Sequence, residues 1–293
     1  MSFKINNRRY TGCKAKITNW INEIIDKECA GAESFCDIFA GTGVVTDAVI
    51  NRFNKFIIND FLYSNEIIYY AFFGKQDYQL KKLLTLKEKY RNLDPIKLPS
   101  NYVSDNYGGK FFSEEDALKI GFIREDLEAR KKSLNKREYA ILLASLIYSF
   151  DRSANTVGHY EAYIKGKQIR SSFNFELINP VITGEDDPRD ISIYRQDANK
   201  LIKKIKTDIL YIDPPYSSRQ YSRFYHVIET IVKWDKPQLF GAALKPAPEN
   251  MSEYCSSRAI DAFTELIEFA NCKYILDPTT TPITQKVNLL KTK

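Results

Sequence analysis

The sequence predicts an open, doubly wound α/β sheet with an inserted helical module, and three observations carry that expectation. Short apolar runs alternate with helical patterns toward both ends of the chain, the arrangement that builds parallel sheets. One run ends in a glycine-bearing turn and a later one in a double-proline turn, where strands of such a sheet hand the chain to functional loops. Between the two halves lies a long stretch, helical and then polar and aromatic, that interrupts the alternation.

Residues 15–28 carry Ile17, Trp20, Ile21, Ile24 and Ile25 at helical spacing and predict an amphipathic helix. The run 34–39 (SFCDIF) reads as a strand, AGTG as the turn after it, and VVTDAVI as a helix. Residues 55–60 (KFIIND) predict a second buried strand closing on Asp60. Residues 76–150 are mostly helical, charged over 113–138 and apolar over 139–150. In 151–190 periodicity is lost, and Arg152, Lys165, Lys167 and Arg170 interleave with Tyr160, Tyr163 and Phe173. That mixture suits phosphate contacts and base stacking, and it suits a solvated insertion with a few packed aromatics equally well. Strand character returns at 191–194 and at 208–212 (DILYI), which runs into Asp213-Pro214-Pro215-Tyr216. Helices follow near 222–234 and 257–270, and a short strand at 273–276 closes the series. The chain thus divides into an N-terminal half of the sheet domain (1–75), an inserted module (76–190) and a C-terminal half (191–293).

A chain of 293 residues suffices for one large α/β domain with such an insertion. Its net charge of +6 fits a protein that touches a phosphate backbone, although many enzymes without a polyanionic partner are as basic. Cys13, Cys29, Cys36, Cys255 and Cys272 are scattered, with no C-x-x-C pair, and His159 and His226 stand alone in sequence. The pattern argues for reduced thiols and against a metal site. No apolar run approaches the length of a membrane span and the N-terminus lacks a signal-peptide pattern, so a cytoplasmic location is expected.

Asp213-Pro214-Pro215-Tyr216, at the end of a buried strand, is the most informative tetrapeptide. An exocyclic amine conjugated to a base ring is a poor nucleophile because its lone pair is delocalised. The Asp213 carboxylate and the Pro214 carbonyl could accept its two N–H groups and draw the nitrogen toward sp³ geometry. Consecutive prolines hold both acceptors in place beforehand, and Tyr216 offers a flat face for an extrahelical base. A proline-stiffened turn with an ordinary aromatic is the plainer alternative. The second element, Asp37-Ile38-Phe39-Ala40-Gly41-Thr42-Gly43, lets backbone approach a ligand closely. It lacks the third glycine of G-x-G-x-x-G, yet a nucleotide-binding loop would look much alike. Asp60, closing the next strand, could accept from ribose hydroxyls.

Together these elements resemble the S-adenosylmethionine-dependent methyltransferases that modify an exocyclic amine of a DNA base. Phe39 to Gly43 looks like their cofactor motif and Asp213 to Tyr216 like their catalytic motif. Tyr10-Thr11-Gly12-Cys13-Lys14 resembles the N-terminal cofactor motif of the Dam-like, D12-class adenine methyltransferases, whose motif order (the alpha arrangement) is also found here. Ala154-Asn155-Thr156-Val157-Gly158-His159-Tyr160, and Asp213 to Tyr221 continuing through Tyr225 to Thr230, are similar to the FokI-type modification methylases. The resemblance spans roughly residues 8–276.

It implies a Rossmann-like methyltransferase sheet with an inserted target-recognition module, and direct methyl transfer to adenine N6 in duplex DNA, without a metal or covalent intermediate. It also implies a cognate restriction endonuclease acting on the same site. Tyr10 and Lys14 would lie beside S-adenosylmethionine, with Asp37, Phe39, Gly41 and Gly43 around its methionine portion and Asp60 at the ribose. Gln196-Asp197 would stand near its adenine, and Asp213 between cofactor and target amine. Arg152, Lys165, Lys167 and Arg170 would contact DNA. After Leu276 the family continues with a turn rich in serine, tyrosine and asparagine and two more strands. Here Asp277-Pro278 opens a different tail, so those strands are expected to be missing, with 287–290 the one stretch able to add a strand. N4-cytosine methylation is the enzymatic rival, since the same acceptors suit either amine. A non-catalytic remnant that binds DNA or cofactor is the rival from another class.

Overall fold

The computed structural model describes residues 2–166, 168–215, 217–281 and 284–291. Its first half holds helix α1 (Thr18–Glu28), strand β1 (Ser34–Asp37), helix α2 (Val44–Val49), strand β2 (Lys55–Asn59) and helices α3 (Tyr63–Phe73), α4 (Leu80–Arg91), α5 (Tyr102–Tyr107), α6 (Glu114–Ala129) and α7 (Lys136–Ser153). The second half holds strand β3 (Asp190–Tyr194), helix α8 (Ala198–Ile202), strand β4 (Ile209–Tyr211), helices α9 (Tyr221–Phe224), α10 (His226–Lys233) and α11 (Ala259–Glu268), and strands β5 (Tyr274–Thr281) and β6 (Thr284–Lys291). The chain folds into two compact units. One comprises Gly12–Tyr69, Asp186–Gln220 and Asn250–Lys293, the other Met1–Thr11, Tyr70–Glu185 and Tyr221–Glu249.

The first unit is the expected doubly wound sheet. Its strands lie in the order β3-β2-β1-β4-β5-β6, all parallel except β6. Successive residues of a strand point to opposite faces, and the register sorts them cleanly. Cys36, Ile57, Leu210 and Ile275 lie on one face, covered by Ala198, Leu201 and Ile202 of α8 and Leu266 of α11. Phe35, Phe56 and Tyr211 share the opposite face, where Phe53 stacks on Phe35 at 5.6 Å. Strand order reverses between β1 and β4, paired in register at Asp37 and Tyr211. The loops beyond these two strand ends are where an open α/β sheet binds its ligand.

The edge at 273–276 is not bare. β5 continues to Thr281 and β6 pairs with it antiparallel from Tyr274 opposite Lys291 to Thr281 opposite Thr284. One strand thus stands where two were expected to be missing, and it includes the 287–290 stretch. Pro278 is tolerated in β5 because β4 ends its pairing at Leu276, so no ladder donor is needed on that side.

The helical unit is larger than the predicted module, for it also takes in the first eleven residues and the segment Tyr221–Glu249. Its core helix α7 starts on a capping box: Glu138 N–H donates to Asn135 Oδ1 (2.8 Å), and Asn135 N–H donates to Glu138 Oε2 (3.1 Å). From there α7 is buried on all sides, matching the unbroken apolar run of 139–150. Buried charges in this unit are engaged. The Arg124 guanidinium donates to the Ile231 and Val232 carbonyls of α10 at 2.8 and 3.1 Å. The Asp116 carboxylate accepts from Ser171 Oγ and from the Ser172 and Phe173 amides, fixing the otherwise irregular 171–173 segment. Among the described residues no helix is long and apolar enough to cross a membrane.

In the sheet unit a single buried side chain joins three strand ends. Asn59 donates through Nδ2 to the carbonyls of Ile38 (3.0 Å) and Gln196 (3.1 Å), and its Oδ1 accepts from the Gln196 amide (3.0 Å). Asn59→Ala leaves those backbone groups unpaired and should lower stability by about 2–3 kcal/mol. Urea unfolding measures this, and a loss under about 0.5 kcal/mol would mean that the three bonds hold nothing together.

Candidate functional site

β1 ends at Asp37, and the chain then turns through Gly41 and Gly43, both with positive φ (53° and 78°), a conformation side chains other than glycine's rarely permit. The turn is clamped from every side. Ala40 N–H donates to Asn59 O (2.9 Å), Gly41 N–H to Asp60 Oδ2 (2.9 Å) and Gly43 N–H to Ala40 O (2.7 Å). The Tyr69 hydroxyl of α3 donates to Gly41 O at 2.7 Å. These amides therefore rigidify the loop rather than wait for a ligand. Asp60 serves the same end, since its Oδ1 also accepts from Leu62 N–H at 2.8 Å.

Beside the loop the site is acidic. Asp37 is buried, and burial, reinforced by the nearby Asp213 and Asp60 carboxylates, pushes its carboxyl up to about 7 against the pull of the Thr46 hydroxyl, which donates to Oδ2 at 2.9 Å. Its other oxygen, Oδ1, is buried without a hydrogen-bond partner among the described residues. Asp213, beyond β4, meets Lys14 from the start of the chain: Nζ stands 2.7 Å from Oδ2, with the two side chains only 10% and 12% exposed. Lys14 also donates to Gly12 O at 3.2 Å. Asp277 on β5 joins the same field. Its carboxyl is raised by burial and by Asp213 and is lowered by Lys14.

Lys14, Asp37, the Gly41–Gly43 turn, Asp60 and Asp213 thus lie together within one unit. Phe39 packs on the sheet core with its ring edge-on to Tyr254 at 4.9 Å. Asp197 caps α8, accepting from Lys200 N–H at 3.1 Å. Pro214 and Pro215 are half-buried beyond β4, and Tyr216 and Lys167 lie outside the described residues. Tyr10 belongs to the helical unit, where it stacks on Tyr225 (4.7 Å, 6°) with the Arg8 guanidinium 5.0 Å from its ring. Arg152, Lys165 and Arg170 are in that unit too and are exposed. Asn59, Tyr69, Thr46 and Asp277 were missed from sequence. Of these only Asn59, a lone amide closing an apolar strand, gave a signal.

A glycine turn after β1 and an Asp-Pro-Pro-Tyr loop after β4, flanking the reversal of strand order, are the marks of the Rossmann-like methyltransferase fold. Comparison with known proteins makes the class specific. A sequence model of the D12 class N6 adenine-specific DNA methyltransferases matches residues 10–276, and the chain belongs to that family. It is 34% identical over 286 residues to the type II methyltransferase M.FokI of Planomicrobium okeanokoites, covering 92% of this chain and 44% of that protein. It is 30% identical over 287 residues to the modification methylase LlaI of Lactococcus lactis subsp. lactis, covering 92% and 45%. With the type II methyltransferase M.NlaIII of Neisseria lactamica it shares 31% identity over 281 residues, covering 91% and 81%. The chain therefore spans less than half the length of the first two relatives and most of the third.

The raised Asp37 carboxyl gives a pH test. Unfolded, it titrates near its ordinary value of 3.8, and folded at about 7, so the folded state holds the extra proton between these values. Asp37 thus favours folding below about pH 4, and that contribution is lost as pH rises through about 7. For the chain alone, the Tm of Asp37→Asn relative to the unsubstituted protein should be higher at about pH 8 than at about pH 5. An equal difference at both would show that Asp37 titrates normally.

Proposed function

We propose that this chain transfers a methyl group from S-adenosylmethionine to N6 of adenine in double-stranded DNA, as the modification component of a restriction–modification system with a cognate endonuclease. The observation that carries the reading is the buried Lys14–Asp213 pair beside the glycine turn, in a member of the adenine-specific family.

The acidic surroundings support the cofactor, which when bound supplies an electrophilic methyl group on a positively charged sulfur. Its methionine portion also carries an ammonium group. Asp37 Oδ1, a buried acceptor with no partner among the described residues, suits that chemistry, as do the close carboxylates of Asp60 and Asp213. Lys14 would meet the cofactor's carboxylate, the open backbone at Gly41 and Gly43 would lie along its methionine portion, and Asp60 and Asp197 would face its nucleoside. Phe39 backs the turn, and Tyr10 completes the set by family resemblance.

For the reacting amine, the Asp213 carboxylate and the Pro214 carbonyl accept the two N–H groups, localising the nitrogen lone pair, while Pro215 keeps the loop stiff. Asp213 is then the base nearest the proton that the nitrogen must release, and Lys14 keeps the carboxylate oriented. Tyr216 stacks on the extrahelical base. Arg152, Lys165, Lys167 and Arg170 supply phosphate contacts from the helical unit.

Tritium transfer to plasmid DNA followed by nucleoside analysis tests the reading. N6-methyladenine is the expected product; N4-methylcytosine would refute the choice of amine, and no transfer would refute the activity. Asp213→Ala should reduce kcat by about 10²–10³, and near-normal turnover would remove Asp213 from its role. Neutralising Arg152, Lys165 or Arg170 singly should lower the slope of log K against log salt by about one for each phosphate that the variant no longer neutralises. Slopes unchanged in all three variants would return the segment to plain solvation.

A further inference from the structure

The glycine turn after β1 contains one peptide whose orientation its own chain leaves open. Gly41 takes a φ of 53°, and the freedom that permits this also lets the plane of the Gly41–Thr42 peptide turn over at little cost. What holds the plane comes from outside the turn. Tyr69, wholly buried on α3, donates its hydroxyl to Gly41 O at 2.7 Å. A trans peptide is planar, with its N–H directed opposite to its C=O. By drawing the Gly41 carbonyl toward α3, the Tyr69 hydroxyl therefore directs the Thr42 N–H to the other side of the turn.

That N–H is the turn's unspent donor. The amides of Ala40, Gly41 and Gly43 are engaged, whereas Thr42, itself buried, donates from its backbone to no acceptor among the described residues. A buried amide without an acceptor is rare in a folded protein. A second orphan stands at the head of the same turn, the buried Asp37 Oδ1. A donor and an acceptor, both left over, match the two charged groups of an α-amino acid: the carboxylate takes the N–H, and the ammonium meets the carboxyl oxygen. One amide is too little to hold a carboxylate alone, but Thr42 adjoins the segment that carries Lys14, with Cys13 Sγ 3.7 Å from Thr42 Oγ1. All of these residues belong to the sheet unit.

We propose that Tyr69 is a positioning residue for the cofactor: through the Gly41–Thr42 peptide, its hydroxyl presents the Thr42 N–H to the carboxylate of the methionine portion. The inference rests on the S-adenosylmethionine reading proposed above. Tyr69 acts only through the turn, from the carbonyl side of the peptide. Loss of its hydroxyl should therefore be felt by a ligand that carries the carboxylate and not by one that lacks it. A tyrosine that merely packs α3 against the turn would affect both ligands alike.

The test uses the full chain and isothermal titration calorimetry with two probes, S-adenosylmethionine and its decarboxylated form, which keeps the sulfonium and the amine. Tyr69→Phe, which keeps the ring, should bind S-adenosylmethionine about tenfold more weakly than the unsubstituted protein, the loss expected for one hydrogen bond to a charged group. For the decarboxylated probe the two proteins should agree within about twofold. Equal weakening toward both probes assigns Tyr69 to packing and overturns the proposal, as does an unchanged affinity for S-adenosylmethionine. A second measurement needs no variant. With threonine labelled by heavy nitrogen, the Thr42 amide proton of the unsubstituted protein should move downfield in the NMR spectrum on addition of S-adenosylmethionine and stay in place with the decarboxylated probe. The same movement with both probes, or with neither, takes the carboxylate away from Thr42 and overturns the proposal while the cofactor reading stands. If the unsubstituted chain binds no S-adenosylmethionine, the cofactor reading fails and the positioning role falls with it.

Discussion

Four carboxyl groups (Asp37, Asp60, Asp213 and Asp277) share one electrostatic field in the sheet unit, and the ammonium of Lys14 balances them in part. Burial penalises charge on Asp37, the like charges of Asp213 and Asp60 add to that penalty, and the group is driven toward its neutral form. Lys14 is therefore more than one half of an ion pair. Removing one partner of a buried pair leaves the other uncompensated, which costs far more than the pair contributes on balance. The residues before α1 are tied in this way to the loop beyond β4, and Asp213 keeps a fixed orientation although it ends no regular element.

The sheet explains why these residues meet. β1 and β4 are neighbours with Asp37 opposite Tyr211, so the turn after one and the loop after the other must emerge side by side. Asn59, at the end of β2, ties its own strand to Ile38 beyond β1 and to Gln196 beyond β3. The candidate site thus sits on loops whose stems are held by a ladder. The chain also leaves the sheet unit at such places, after β2 through α3 and again after Gln220, returning at Asp186 and Asn250. Insertions there lengthen connections without breaking strand pairing, so a second compact unit can grow on the fold at little thermodynamic expense.

Much of this was legible in the sequence because strands, turns and capping motifs are local. The runs at 34–39, 55–60, 191–194 and 208–212 announced four strands, and the glycine turn and the double proline marked the two loops that matter. Contacts between distant residues were not legible. Lys14 and Asp213 are about two hundred residues apart, and no local pattern states that they touch; the family motifs alone brought them together. The extent of the helical unit was hidden for a related reason. Periodicity shows that 222–234 has an apolar face but not which partner covers that face, and Arg124 binding the carbonyls of Ile231 and Val232 puts α10 in the helical unit. Tyr69 was unreadable because an aromatic in an apolar helix looks like core until its hydroxyl is found on Gly41. The tail after Leu276 misled because Pro278 argues against strand, whereas a strand that outruns its neighbour tolerates it.

A phosphate-binding turn and a turn that receives a cationic cofactor can share G-x-G, since both need close backbone approach. They differ in which groups they present. Anion sites present free amides, often at a helix start. Here the amides of Ala40, Gly41 and Gly43 are spent on Asn59, Asp60 and Ala40, and the helix that follows, α2, has only six residues. What lies beside the turn is a buried carboxylate oxygen with no partner among the described residues and two further carboxylates within its field. A pyrophosphate brought there would meet charge of its own sign. Burial, with the added repulsion of Asp213 and Asp60, drives Asp37 toward its neutral form; a positively charged ligand would offset both, so binding and charge balance favour each other at this turn.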